Sequence, residues 1–188
     1  KIVTVDERVH GLAAPFVGSD NRRGARAAAE LALARGHRRF GIIAGPTGLW
    51  TAEQRLAGYR EALAAGGIDP DTVPTVRGDY RLESGRQAAA QLLPQEPTVI
   101  LAANDLMAVG CLQHALGAGL RVPQDLSVVG YDDVPLATVV TPALTTVRQP
   151  AREMGRVAAK LLLDGIEERD VPESVDLAPE LIVRESLA

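Results

Sequence analysis

The stretch 98–133, TVILAANDLMAVGCLQHALGAGLRVPQDLSVVGYDD, reads as strand, helix, strand. Residues 98–102 form a short apolar run, and Asn104 stands where a helix N-cap belongs, ahead of a helical stretch over 106–116. Gly119 then supplies a helix-closing residue, and a second apolar run follows over 126–131. Both runs are apolar at odd and even positions alike, as strands covered by helices on both faces must be. Working outward, the same alternation recurs. Strands are predicted at 1–5, 16–19, 39–44 and 75–78. Between them Ala52, Leu56, Tyr59 and Leu63 recur at helical spacing, as do Ala88, Ala89, Leu92 and Leu93. Gly36, Gly66 and Gly165, like Gly119, stand at expected helix ends. Repeated strand–helix–strand units with short connections imply parallel strands and right-handed crossovers, hence an α/β fold with a doubly wound parallel sheet. In such sheets ligands bind beyond the carboxyl ends of the strands.

Two stretches fit one sheet poorly. Residues 1–19 offer two strands with no helix between them. Near the other end, Met154, Val157, Ala158, Leu161 and Leu162 make a full apolar stripe on a helix over 150–164, and strands follow over 175–183. These parts are expected to belong to a second, incomplete lobe. Composition is that of a packed globular chain: 188 residues, 46% hydrophobic and 23% charged, with aromatics at 3%. A net charge of −4 gives no electrostatic footprint for nucleic acid. One cysteine, Cys111, allows neither an internal disulfide nor a cysteine-based zinc cluster and fits a reducing, cytoplasmic setting. No apolar run approaches the roughly 20 residues of a membrane span. The chain opens on Lys1 with a strand and no leader, and so reads as a piece of something longer.

The strand ends hold the candidate chemistry. After 39–44 come Gly45-Pro46-Thr47-Gly48-Leu49-Trp50-Thr51 and a helix carrying Arg55. Neither a phosphate-loop motif nor G-x-G-x-x-G is present, which argues against a nucleotide-cofactor enzyme. Trp50, the single tryptophan, reads about equally as a stacking platform for a ring-shaped ligand and as a lid over the helix end. Asn104 is explained by capping, although a capping amide can still face a ligand. Asp132 and Asp133 could cap a helix, or accept hydroxyl hydrogens opposite Arg55 as in a sugar site. His10, His37 and His114 have no Ser or Cys partner at a strand end, so no catalytic triad is supported and no cofactor is expected.

With the elements placed, the chain resembles the sensor core of the lactose-repressor/galactose-repressor family of transcription regulators. The resemblance rests on residues 119–133, GLRVPQDLSVVGYDD, and 141–150, TPALTTVRQP, joined by Gly36-His37-Arg38-Arg39, Ala44-Gly45-Pro46, Arg55-Leu56-Ala57-Gly58-Tyr59 and Asn104-Asp105-Leu106-Met107-Ala108. It implies a fold of the periplasmic-binding-protein-like type I kind, two-lobed in the full protein. Residues 1–19 would be a remnant of the first lobe, 20–147 the second, effector-binding lobe, 148–170 a helix returning to the first, and 171–188 strands joining the second. A helix-turn-helix headpiece would be absent. The resemblance also implies a small-molecule effector, operator DNA as partner through that headpiece, a homodimer, a cytoplasmic location, and no membrane or enzymatic activity. By motif match the effector-contacting residues would be Asp6, Trp50, Thr51, Arg55, Tyr80, Asn104 and Asp132. Arg55 would offer a planar fork to adjacent hydroxyls. Purine-sensing members place a basic side chain where this chain has Leu49, so the resemblance favours a sugar or sugar derivative. A periplasmic sugar-binding component of a transporter, which shares the fold, is the alternative.

Overall fold

A computed structural model describes residues 1–9 and 11–188; His10 lies outside the described residues. Four strands make the larger sheet: β3 (Phe40–Ala44), β4 (Thr75–Arg77), β5 (Val99–Ala102) and β6 (Ser127–Val129), in the order β4-β3-β5-β6 and all parallel. Side chains along a strand alternate between faces, and here both faces are buried. Ile43, Ile100 and Val128 pack with helices α3 (Leu82–Leu92) and α4 (Asp105–Gly117). Ile42, Leu101 and Val129 pack on the other face with α1 (Asn21–Ala34) and α2 (Trp50–Ala65). This is the doubly wound arrangement read from the two apolar runs.

The helix pairs come unusually close. A Cβ on Gly85 would sit 2.1 Å from the Met107 carbonyl oxygen, and one on Gly110 would sit 2.0 Å from that of Leu82, so α3 and α4 meet backbone to backbone. Of the glycines expected to close helices, Gly36 and Gly119 take the left-handed conformation, at φ 91° and 84°. Gly66 does not, at φ −80°, and its neighbour Gly67 takes the role at φ 79°. Gly165 lies inside the last turn of α6 (Ala151–Ile166), and Glu168 adopts positive φ beyond it.

A second sheet stands apart. β1 (Thr4–Val5), β2 (Phe16–Ser19) and β8 (Ser174–Leu177) pair in parallel with β2 central. Helix α6 lies on it, burying Met154, Ala158 and Leu161 against Val17. Leu163 and Ile166 on the same helix stay 60% and 58% exposed. The expectation that 171–188 as a whole joins the larger lobe is corrected: β8 belongs to the small sheet. The reason is local. Val175 and Leu177 alternate toward the cluster around Val17, while β2 offers an open edge for them to pair. Only after Pro179 does the chain cross back. β9 (Glu180–Ile182) pairs antiparallel with β7 (Thr146–Arg148), a strand not expected from the sequence, and the Val128 amide donates to the Ser186 carbonyl. A four-residue helix α5 (Leu136–Val139) completes the fold.

Candidate functional site

The carboxyl ends of strands from both sheets converge on one guanidinium. Arg55, in the second turn of α2, is 3% exposed. Its Nε donates to Asn21 Oδ1, just beyond β2, at 2.7 Å, and its Nη1 donates to the Ala103 carbonyl, just beyond β5, at 2.6 Å. Nη1 also lies 3.1 Å from Asp132 Oδ1, beyond β6. The Tyr131 ring stacks under the guanidinium at 3.9 Å, a cation–π contact strengthened by burial. Burial acts against this charge, but Asp132 and the surrounding tyrosines hold the Arg55 pKa above its ordinary value. Asp132 is further held by Gln149, whose Nε2 donates to Oδ1 at 2.8 Å.

The backbone around this cluster is strained. Among the described residues, six non-glycines have positive φ, and four of them are Asp6 (67°), Tyr80 (68°), Asp132 (110°) and Asp133 (59°). Such conformations cost on the order of 1–3 kcal/mol each and concentrate at functional sites. Gly45 makes room for one of them, because a Cβ there would lie 2.6 Å from the Tyr80 ring. Several polar atoms also lack protein partners. Asp6 Oδ1, Tyr80 Oη and Gln149 Oε1 are buried without a hydrogen bond, a state that costs roughly 1–3 kcal/mol per group. Burial raises the carboxyl pKa of Asp6, against the pull of Arg55, and likewise raises the phenol of Tyr80.

Of the seven candidates, Arg55, Asp132, Asp6 and Tyr80 are thus brought together, while the other three sit differently. Asn104 caps α4: its Oδ1 accepts from the Met107 amide and its Nδ2 donates to the Tyr80 carbonyl, both at 3.0 Å. Thr51 donates through Oγ1 to Glu7 Oε2 at 2.8 Å. Trp50 meets Phe16 edge-on at 5.4 Å between centroids. Both rings line a pocket of about 440 Å³ with Thr4, Arg8, Gly48 and Glu53, and neither Arg55 nor Asp132 reaches it. The planar fork expected of Arg55 is largely engaged within the protein through Nε and Nη1. Asp133 is structural, accepting from Arg148 at 2.7 Å and Arg184 at 2.6 Å. Sequence reasoning missed Glu7, Asn21, Tyr131 and Gln149. Asn21 was within reach of the rule that ligands lie beyond strand ends, had it been applied to 16–19, and Gln149 stood inside a quoted motif.

Under the site, Asp105 is completely buried at the start of α4, accepting from Thr146 Oγ1 at 2.5 Å and from the Val134 amide at 2.8 Å. Burial pushes its carboxyl up to about 7, against those two bonds. A carboxyl that binds its proton more tightly when folded favours folding as pH falls through about 7 toward the unfolded value of 3.8. This contribution is lost as pH rises through about 7. The urea midpoint should therefore drop between pH 6 and pH 8, and Asp105→Asn should flatten that drop. An unchanged pH slope in the variant would contradict the assignment.

His37 has Nδ1 3.0 Å from Thr98 Oγ1, and burial lowers its pKa. His114 lies in the last turn of α4. Among the described residues no group of three or more His, Cys, Asp or Glu could hold a metal, and no helix is long and apolar enough to cross a membrane.

The chain is similar to known proteins over most of its length. The periplasmic binding protein-like domain family matches residues 29–187. The HTH-type transcriptional repressor PurR of Escherichia coli is 43% identical over 159 residues, covering 83% of this chain and 47% of PurR. The chain thus spans about half the length of the curated relatives it matches. Among solved structures, the transcriptional regulator CelR in complex with cellobiose superposes with a TM-score of 0.92 at 39% identity, over 98% of this chain and 58% of that one. A LacI family transcriptional regulator from Mycobacterium smegmatis superposes with a TM-score of 0.91 at 35% identity, over 99% of this chain and 70% of that one.

Proposed function

Because the chain belongs to the LacI/GalR family of transcriptional regulators, built on a periplasmic binding protein-like domain, we propose that it is the effector-sensing core of such a regulator and that a sugar or sugar derivative is its effector. The observation that carries this reading is the set of buried polar atoms without partners, Asp6 Oδ1, Tyr80 Oη and Gln149 Oε1, gathered around the Arg55–Asp132 pair. A hydroxyl-rich ligand supplies donors to the first and last and either role to the phenol. Asp132 accepts from adjacent hydroxyls, and the second terminal nitrogen of Arg55 donates to them. Leu49 stands where purine-sensing members of the family place a basic side chain, which favours a sugar over a purine. The similarity to a cellobiose-bound regulator supports the same class, and the relatives being regulators favours this reading over a transporter component.

The mechanism follows from where the groups come from. Asp6 is carried by the small sheet, whereas Arg55, Tyr80 and Asp132 are carried by the large one. A ligand bonded to both sets stabilises the arrangement that brings them together, and a difference of about 1–3 kcal/mol between arrangements suffices for allosteric control. In this reading operator DNA is bound through a headpiece, the regulator is a cytoplasmic homodimer, and the core itself performs no catalysis.

Thermal denaturation of the full-length regulator against a panel of mono- and disaccharides tests the proposal. A cognate sugar at 100 times its Kd should stabilise by about 2.7 kcal/mol. For a domain of this size that raises Tm by roughly 5–10 °C. A panel without any stabilising sugar, alongside a purine that does stabilise, would overturn the sugar reading.

A further inference from the structure

The N-terminus of α2 is filled by the protein's own carboxylate. Helix starts attract anions because their first amides lack partners and the helix dipole is positive there. The N-cap of α2, Leu49, provides no side-chain bond. Instead Glu7, in the turn after β1, reaches across from the small sheet. Its Oε1 accepts from the Trp50 amide at 2.6 Å, and its Oε2 accepts from the Thr51 amide at 3.3 Å and from Thr51 Oγ1 at 2.8 Å. These donors include the hydroxyl and backbone of a residue placed in the effector site by motif match.

The charges on either side of Glu7 reinforce it. Asp6, at positive φ, faces Arg55 and Asp132, so two carboxylates share one buried guanidinium and Glu7 is left to the helix amides. The next cation, Arg8, is turned aside. Its guanidinium stacks on Phe16 at 3.9 Å and on Trp50 at 5.0 Å, and its Nη2 donates to Ser174 Oγ at 2.9 Å. A phosphate or carboxylate approaching the start of α2 therefore finds the Trp50 and Thr51 amides already held by a carboxylate.

We infer that Glu7 is a specificity-determining residue that restricts the cleft to uncharged ligands and rejects phosphorylated or acidic sugars. This rests on the sugar reading above and narrows it to neutral saccharides. Like charges brought together at a recognition site discriminate strongly between ligands.

Calorimetric titration of the full-length regulator tests this with three probes: inorganic phosphate, the neutral saccharide panel, and the phosphate esters of those saccharides. Wild type should bind no phosphate and should prefer a neutral sugar over its ester by about tenfold or more. In Glu7→Gln and Glu7→Ala the ratio of neutral to ester affinity should fall by about tenfold, and inorganic phosphate should begin to bind. Wild type favouring the ester would overturn the inference outright, whatever the variants do. Folded variants, judged by circular dichroism, with an unchanged ratio and no phosphate binding would also overturn it. If no saccharide binds wild type but phosphate binds only the variants, the sugar reading falls and the role of Glu7 stands.

Discussion

Arg55→Ala should lose about 3–5 kcal/mol of stability and abolish the thermal response to effector. The side chain is nearly inaccessible and ties together Asn21, the Ala103 carbonyl and Asp132, which lie beyond three different strands. Truncation leaves Asp132, only 26% exposed as a side chain, without its cation, and leaves the Asn21 and Ala103 acceptors unpaired. That loss outweighs any relief from no longer burying the guanidinium, because a lone buried charge is costlier than a paired one. Urea denaturation measures the first effect and effector titration the second. Arg55→Lys is informative beside it. A lysine keeps the charge near Asp132 but cannot reproduce the fork or the flat stack on Tyr131, so part of the stability should return while effector binding stays lost. Full binding by the lysine variant would remove Arg55 from the site.

Gly110→Ala should destabilise by about 1–3 kcal/mol or more, despite improving helix propensity. Two effects oppose each other here. Alanine is better than glycine inside a helix by about 1 kcal/mol. Its Cβ, however, would fall 2.0 Å from the Leu82 carbonyl and 2.8 Å from the Arg86 nitrogen, both rigid backbone atoms of α3. The helices must separate, which opens the core that Met107, Leu112 and Leu92 fill. Gly155→Ala on α6 is the control. Nothing lies within 4 Å of a Cβ there, so only the propensity gain remains and the sign should reverse. Thermal midpoints of the two variants should move in opposite directions, and a shared direction would refute the close-approach account.

The strands and helices of the large sheet were legible because they are coded locally. Apolar residues at both odd and even positions of 98–102 and 126–131 demand cover on both faces, and the structure buries Ile100 and Leu101 on opposite sides. Asn104 was legible as a cap for the same reason: its partner is three residues away, on the Met107 amide. Arg55 and Asp132 were reached through strand-end geometry and family resemblance, and the structure places them 3.1 Å apart. What escaped the reading depends on residues distant in sequence. β8 has an ordinary alternating pattern, and nothing within residues 174–177 says which of two sheets has an open edge for it. Glu7 is a surface-type residue whose three donors lie more than 40 positions away, on α2. The carbonyl that engages Arg55 belongs to Ala103, a residue with no polar side chain to notice. Periodicity thus determines which segments become strands and helices, because it acts between neighbours along the chain. Sheet membership and the partners of each buried charge were decided only on folding, when strand edges and backbone groups from separate segments met and had to be paired.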